Sequence, residues 1–259
     1  MGQALISGLI SSERSSISNI VVADPSEEVR GYCKRHLGIR TCVSNQEAIS
    51  GADVVIFAIK PQQLHPVISE LKVERKSTCL FISIAAGIRL NHLEKLLGAN
   101  QAIVRCMPNT PAIVHSGISV LIATEKTSSE QRSQAENLLQ SVGKTIWIED
   151  EALMDAVTAV SGSGPAYFFL LIELIQKAGI RLGLTSDLAE TLAVETAFGA
   201  AKLAQQSPDT PSELRQKVTS PQGTTDAALN VFSSSGLEDI VNLAITAAYN
   251  RSIALSKEK

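Results

Sequence analysis

Six short apolar runs rich in β-branched residues, all ending before residue 150, alternate with helix-like stretches, and this alternation confines the first part of the chain to an α/β fold. The runs are 19–25 (NIVVADP), 52–61 (ADVVIFAIKP), 79–87 (CLFISIAAG), 102–108 (AIVRCMP), 119–124 (SVLIAT) and 145–149 (TIWIE). Between them, 26–37, 45–50, 63–71, 90–97 and 128–141 have the mixed polar faces of helices. The early runs lack polar alternates, as strands covered on both faces must. The expectation is a doubly wound α/β domain over residues 1–150. From residue 151 the helical period takes over, in 151–160, 164–182, 186–206, 211–219, 223–233 and 236–256, so residues 151–259 are expected to form an all-α domain.

The helix beginning at Pro165 reads Ala-Tyr-Phe-Phe-Leu-Leu-Ile before Glu173 and is apolar nearly all round. It has to be covered on most sides. A domain of about 110 residues has little interior for it and for the equally apolar 186–206. These helices are therefore expected to form a homodimer interface, the alternative being a core helix inside one chain. The apolar run Ala166 to Ile172 is far shorter than the roughly 18 residues of a membrane span, and no secretory n-region and h-region open the chain. A cytoplasmic protein with no membrane partner is expected. With 23 basic against 26 acidic side chains, the net charge of −3 argues against a nucleic-acid partner. At 44% hydrophobic and 19% charged residues, the chain is neither disordered nor collagen-like.

Cys33, Cys42, Cys79 and Cys106 have no C-x-x-C spacing, and His36, His65, His92 and His115 have no metal-ligand spacing. Reduced, mostly buried cysteines and no metal site are expected. Residues 116–259 contain neither His nor Cys, which excludes His-dependent nucleophilic chemistry carried by that half alone.

A Rossmann-type dinucleotide-binding unit begins with a strand, a glycine-rich turn and a helix facing the pyrophosphate. Here Met1 to Ile10 already reads as the helix, and only Gly2 answers to the third glycine of G-x-G-x-x-G. The first strand is missing from the sequence as it stands. The favoured reading is that about ten preceding residues are absent from it; the other is loss of normal cofactor binding. Asp24, near the end of the 19–25 run that stands for the second strand of such a unit, is placed to accept hydrogen bonds from a ribose 2′-hydroxyl, which would favour NADH. It is equally a turn residue before Pro25, and Ser26 and Arg30 offer groups for a 2′-phosphate, so the choice between NADPH and NADH stays open.

Three segments stand out after F-A-I-K-P (57–61): R-C-M-P-N-T-P (105–111), S-G-S-G-P-A-Y (161–167) and V-T-S-P-Q-G-T-T-D-A-A-L (218–229). In this order and spacing they resemble the Δ1-pyrroline-5-carboxylate reductase family, over essentially the whole chain. The resemblance implies reduction of a cyclic imine to L-proline by NADPH, with NADH as the other candidate. It also implies a Rossmann-type first domain and a helical second domain that dimerises, in many members into larger rings. It places the cofactor along Gly2, Asp24, Ser26, Asn45, Ala58, Lys60, Pro61, Met107, Asn109 and Ser163. The substrate carboxylate falls to Ser220, Gly223, Thr224 and Thr225, with Thr225 as the catalytic candidate at the ring nitrogen.

Read without the resemblance, these residues are compatible with that chemistry. Lys60 and Pro61 follow a strand at the edge where ligands bind in open sheets, although a solvated strand-end lysine reads the same way. Two prolines around Asn109 and Thr110 make a rigid loop. The 220–225 turn precedes a helix whose first amides suit an anion, although a plain helix cap has the same sequence. Gln222 stands where the family usually has Gly, which questions close backbone approach there. A protonated imine needs little general acid, in keeping with the missing histidines. The rival readings are a β-hydroxyacid dehydrogenase or related imine reductase, and a truncated non-catalytic paralogue. The first wants a lysine early on the helix after the glycine segment, whereas here the first is Lys177.

Overall fold

The computed structural model describes residues 1–12, 16–71 and 78–257. They pack as two compact units, one of residues 1–163 with 248–259 and the other of residues 164–247.

In the first unit the chain runs α1 (Gly2–Ser11), β1 (Val21–Ala23), α2 (Glu27–His36), β2 (Arg40–Cys42), α3 (Asn45–Ile49), β3 (Val54–Phe57), α4 (Pro61–Glu70) and β4 (Leu80–Ser83). It continues through α5 (Leu90–Leu97), β5 (Ala102–Met107), β6 (Gly117–Ala123), α6 (Ser129–Leu139), β7 (Gly143–Trp147) and α7 (Met154–Val157). Five strands make one sheet in the order β3-β4-β5-β6-β7. The β3-β4 and β4-β5 pairs are parallel, as alternation with helices requires, while β6 runs antiparallel to β5 and β7 parallel to β6. The sheet is thus mixed, where the sequence suggested uninterrupted double winding.

Side chains of the central strands alternate between two apolar layers. Phe81, Ile103, Val120 and Ile122 join Leu64, Ile68, Leu93 and Leu97 on the face covered by α4 and α5. Leu80, Ile82, Val104 and Leu121 join Leu5, Ala135 and Leu139 on the face covered by α1 and α6. Two covered faces are why these strands read as continuous apolar runs. Each fully buried Leu, Ile or Phe contributes on the order of 2 kcal/mol. On the second face Gly8 lets α1 approach closely: a Cβ there would lie 2.6 Å from the Ser141 carbonyl oxygen.

β1 and β2 form a separate parallel pair. No ladder joins β1 to β3 among the described residues. Val21 to Ala23 and Val54 to Ile56 are only partly covered, although Leu80 to Ser83 are buried throughout. In the Rossmann strand order 3-2-1-4-5-6 the first strand lies between the second and fourth, which β1 and β3 represent, so the interruption falls at that place.

Ser128 starts α6 with a capping box, its hydroxyl accepting from the Gln131 amide at 3.2 Å while Gln131 Oε1 accepts from the Ser128 amide at 3.0 Å. After α7 the chain widens into one π-turn over Thr158–Gly162. Residues 151–162 are therefore a three-part segment rather than the single helix expected. The first unit is completed by the end of α12 (Leu237–Lys257), where the Ser252 hydroxyl donates to buried Asp155 at 2.7 Å.

The second unit contains α8 (Gly164–Arg181), α9 (Ser186–Gln206), α10 (Pro211–Lys217), α11 (Thr224–Ser234) and the start of α12. α9 has only Ala189 and Ala193 buried, and a Cβ at Gly179 of α8 would stand 3.4 Å from Ala189. Small residues bring these two helices together. Their large side chains point elsewhere: Phe168, Phe169 and Phe198 are 66%, 63% and 62% exposed. By length and composition alone, the run Glu151–Arg181 is apolar enough to cross a membrane. An exposed apolar patch of this size marks an interaction surface.

Candidate functional site

Three of the residues expected to hold the cofactor lie where strands of the first unit end. Asp24 follows β1, Ala58 follows β3, and Met107 closes β5. Crevices outside the carboxyl ends of parallel strands are where open sheets bind ligands. α1 begins at the same edge, and a Cβ on Gly2 would stand 3.2 Å from the Ala58 Cβ. Any larger residue at position 2 would crowd the end of β3. The structure thus brings together Gly2 and Ala58, which are far apart in sequence.

The turn after β1 is internally tied. Asp24 Oδ1 accepts from the Ser26 amide at 2.8 Å, and the Ser26 hydroxyl accepts from the Val29 amide at 3.4 Å to cap α2. Arg30 Nη1 donates to the carbonyl oxygens of Asp24 at 2.7 Å and Pro25 at 2.9 Å. Those bonds hold a guanidinium at this turn, next to one carboxylate. Asn45 is half-buried at the start of α3, behind the Ser44 cap. Lys60 is exposed at the N-cap of α4, and Pro61 takes the first helical position, where a missing N–H costs nothing.

Asn109, after β5, spends its side-chain amide on protein partners. Oδ1 accepts from the Ile118 amide at 2.9 Å and Nδ2 donates to the Ser161 carbonyl at 3.2 Å. Met107 also meets the π-turn, since a Cβ on Gly162 would collide with its methyl group. The half-buried Ser163 ends that turn with its amide on the Thr158 carbonyl at 2.8 Å.

In the second unit Ser220 to Thr225 form a tight turn into α11. The Gly223 amide donates to the Ser220 carbonyl at 3.0 Å, and Gly223 is the N-cap of α11, without a side-chain cap. A Cβ at Gly223 would collide with the Ser220 hydroxyl. Asp226 Oδ2 accepts from the Gln222 amide at 3.1 Å and braces the turn from behind. Gln222 is at φ 59°, the left-handed region that glycine adopts without strain. Glycine would meet this backbone geometry without strain, and Gln222 meets it at some cost. Thr225 is half-buried and Thr224 exposed. An uncapped helix start with two threonines in its first turn has amides and hydroxyls to offer a carboxylate.

Sequence reasoning passed over three supporting features: the contact of Asn109 with Ser161, the need for Gly162 beside Met107, and an ion pair between Arg105 and Glu151. The last had a signal, an arginine inside an otherwise apolar strand. The first two join residues 52 and 55 positions apart in sequence.

Comparison with known proteins settles the family. Residues 151–255 match the family model described as pyrroline-5-carboxylate reductase dimerisation, and residues 1–87 match NADP oxidoreductase coenzyme F420-dependent. Over 258 residues the chain is 45% identical to pyrroline-5-carboxylate reductase of Pseudomonas aeruginosa, covering 100% of this chain and 94% of that protein. The chain belongs to the pyrroline-5-carboxylate reductase family. The relative from Pisum sativum is 37% identical across 99% of this chain and 93% of its own length. Among solved structures, the pyrroline-5-carboxylate reductase of Coxiella burnetii superposes with a TM-score of 0.93 at 38% identity, covering 98% of this chain and 94% of that one. The Plasmodium falciparum pyrroline carboxylate reductase with NADP bound gives 0.88 at 29% identity, covering 99% of this chain and 94% of that one. Membership makes the chain an oxidoreductase of the Rossmann-plus-helical plan, with a nicotinamide dinucleotide as its cofactor.

Proposed function

We infer that this protein reduces 1-pyrroline-5-carboxylate to L-proline with NAD(P)H, the last step of proline biosynthesis. The observation that carries this reading from geometry is the Ser220–Thr225 turn, an uncapped helix start with hydroxyls on either side of Gly223. The 45% identity over the whole chain supports the same substrate.

The first unit fits the cofactor. Gly2 leaves open the space against Ala58 that a side chain would fill, at the carboxyl edge of the sheet. We assign the cofactor to Gly2, Asp24, Ser26, Asn45, Ala58, Lys60, Pro61, Met107 and Ser163, with Asn109 bracing the loop beside Met107 through its own protein partners. When bound, the nicotinamide supplies the hydride. The substrate brings its own activation, because a protonated cyclic imine is already electrophilic at carbon. Its carbon gains the hydride, the C=N double bond becomes a single bond, and the ring nitrogen keeps its proton as the amine of proline.

The work of this chain is then to bind, orient and exclude water. Amides of Thr224 and Thr225, with the Ser220 hydroxyl, hold the carboxylate, while Gly223 closes the turn with its own amide on the Ser220 carbonyl and keeps its space free of a side chain. The Thr225 hydroxyl orients the ring nitrogen. Residues 1–150, joined by Ser163, serve the cofactor, and the rest of 151–259 the substrate and the subunit contact. Arg30 at the Asp24–Ser26 turn supports NADPH as the preferred donor, with NADH second, because a guanidinium suits a 2′-phosphate.

The assembly unit in this reading is a homodimer through the helical domain, supported by exposed Phe168, Phe169 and Phe198 inside the matched dimerisation region. Light scattering distinguishes it from a ring of dimers. We place the protein in the cytoplasm, with no nucleic-acid or membrane partner. Spectrophotometric loss of reduced nicotinamide on adding 1-pyrroline-5-carboxylate tests the activity; a folded dimer that consumes none overturns the reading.

A further inference from the structure

Asn109, in the loop after β5, bonds the start of β6 with one end of its side-chain amide and the π-turn with the other. Ile118 N–H needs an acceptor, which fixes Oδ1 toward it at 2.9 Å and turns Nδ2 to the Ser161 carbonyl at 3.2 Å. The Ser161 carbonyl has a particular need for that donor. Four residues on, where a regular helix would supply an amide hydrogen, stands Pro165, which has none. The chain also winds too wide there for regular bonding, as the Ser163 amide reaches back five residues to Thr158. Beside this polar tie, the Met107 methyl group fills the space left by the missing side chain of Gly162. A hydrogen bond and a close apolar contact thus lock two segments, 107–109 and 161–163, at neighbouring points.

We propose that Asn109 is a positioning residue that fixes the separation of Met107 from Ser163, and through it the placement of the nicotinamide ring for hydride transfer. The proposal rests on the reductase reading and deepens it. It gives Asn109 a role made through backbone partners rather than by a bond to the cofactor. An amide is required because the two partners are one donor and one acceptor: aspartate would set a carboxylate against the Ser161 carbonyl, and alanine would reach neither.

The test compares Asn109→Asp, Asn109→Ala and Asn109→Ser with the parent protein. It measures kcat and KM for NADPH, the thermal unfolding midpoint, and the isotope effect with NADPH deuterated at the transferred position. Misplacing reacting groups by about 1 Å costs up to roughly a hundredfold in rate. The expected result is kcat lower by about tenfold to a hundredfold in Asp and Ala, with KM for NADPH within about twofold and a larger isotope effect as the transfer step becomes limiting. Asn109→Ser, shorter but able to donate, guards against failure of the others to fold and is expected to lose less. Unchanged kcat in folded variants overturns the proposal. A rise in KM for NADPH with an unchanged isotope effect also overturns it, by showing a direct binding contact. A parent protein inactive with 1-pyrroline-5-carboxylate removes the reductase reading itself, and the positioning role with it, before any variant is compared.

Discussion

Glu151 Oε1 lies 2.7 Å from Arg105 Nη1, an ion pair whose arginine side chain is only 5% exposed. The same oxygen accepts from the Leu90 amide at 2.8 Å, at the start of α5. One carboxylate therefore ties a central strand, the first turn of a helix on its face, and the segment that leaves the sheet. The arginine enters the interior because its partner follows it there; alone, it would be a buried unpaired charge.

Removing Glu151 should accordingly cost more than removing the pair. Glu151→Leu is expected to lower stability by about 3 kcal/mol, and adding Arg105→Met is expected to restore much of that loss. Urea unfolding of the two single variants and the double variant measures the coupling. Additive effects would mean that the pair is not a unit.

The turn after β1 should govern the choice of cofactor. Arg30→Ala removes the guanidinium held at the Asp24 and Pro25 carbonyls. KM for NADPH should rise by on the order of tenfold, with KM for NADH much less affected. The KM ratio of the two cofactors in parent and variant is the readout.

Thr225→Ala is expected to lower kcat with 1-pyrroline-5-carboxylate by on the order of 10- to 100-fold, and Thr225→Ser to retain most of it. Full activity of the alanine variant would remove this hydroxyl from the site.

Gln222 at φ 59° predicts a steric series. Gln222→Gly should fold and work, because Gly adopts this geometry without strain. Gln222→Val should raise KM for the substrate and cost about 1–2 kcal/mol, since a β-branched side chain resists the left-handed region. Steady-state kinetics and thermal unfolding of both variants check the order.

Cys106 supplies a pH dependence. Burial raises its thiol from the ordinary 9.0 to about 12, with a hydrogen bond from Ser119 acting the other way. Below about 9 both folded and unfolded chains keep the proton, so the contribution is constant; between about 9 and about 12 only the unfolded chain ionises, and stability falls as pH rises. Cys106→Ala should flatten that alkaline decline in denaturant titrations. In the parent, this thiol should stay unreactive toward thiol reagents until the protein unfolds.

Much of this fold was legible in the sequence because burial on both faces leaves a plain record. Leu80 to Ser83 and Ala102 to Cys106 are buried throughout, so they had to read as apolar runs. β2 left no such record: Arg40, Thr41 and Cys42 go from exposed to buried over three residues and look like a loop. The end of the first unit was obscured for another reason. Met154 to Gly162 has helical periodicity, but Pro165 and the contacts of Gly162 and Ser161 favour a π-turn, and those contacts come from residues more than 50 positions away. At the candidate site, the motifs singled out loops by residue type. They did not show that Asp24 and Asn109 already hold protein partners, because a motif records a residue's type and not its nearest donor.

The account is tested most directly by incubating the purified dimer with NADPH and racemic 1-pyrroline-5-carboxylate while following both nicotinamide oxidation and proline by chiral chromatography. The prediction is one L-proline for each NADPH consumed, with Thr225→Ala slower by at least about tenfold. Folded, dimeric protein that oxidises neither NADPH nor NADH in the presence of this substrate, or that oxidises them without forming L-proline, would contradict it.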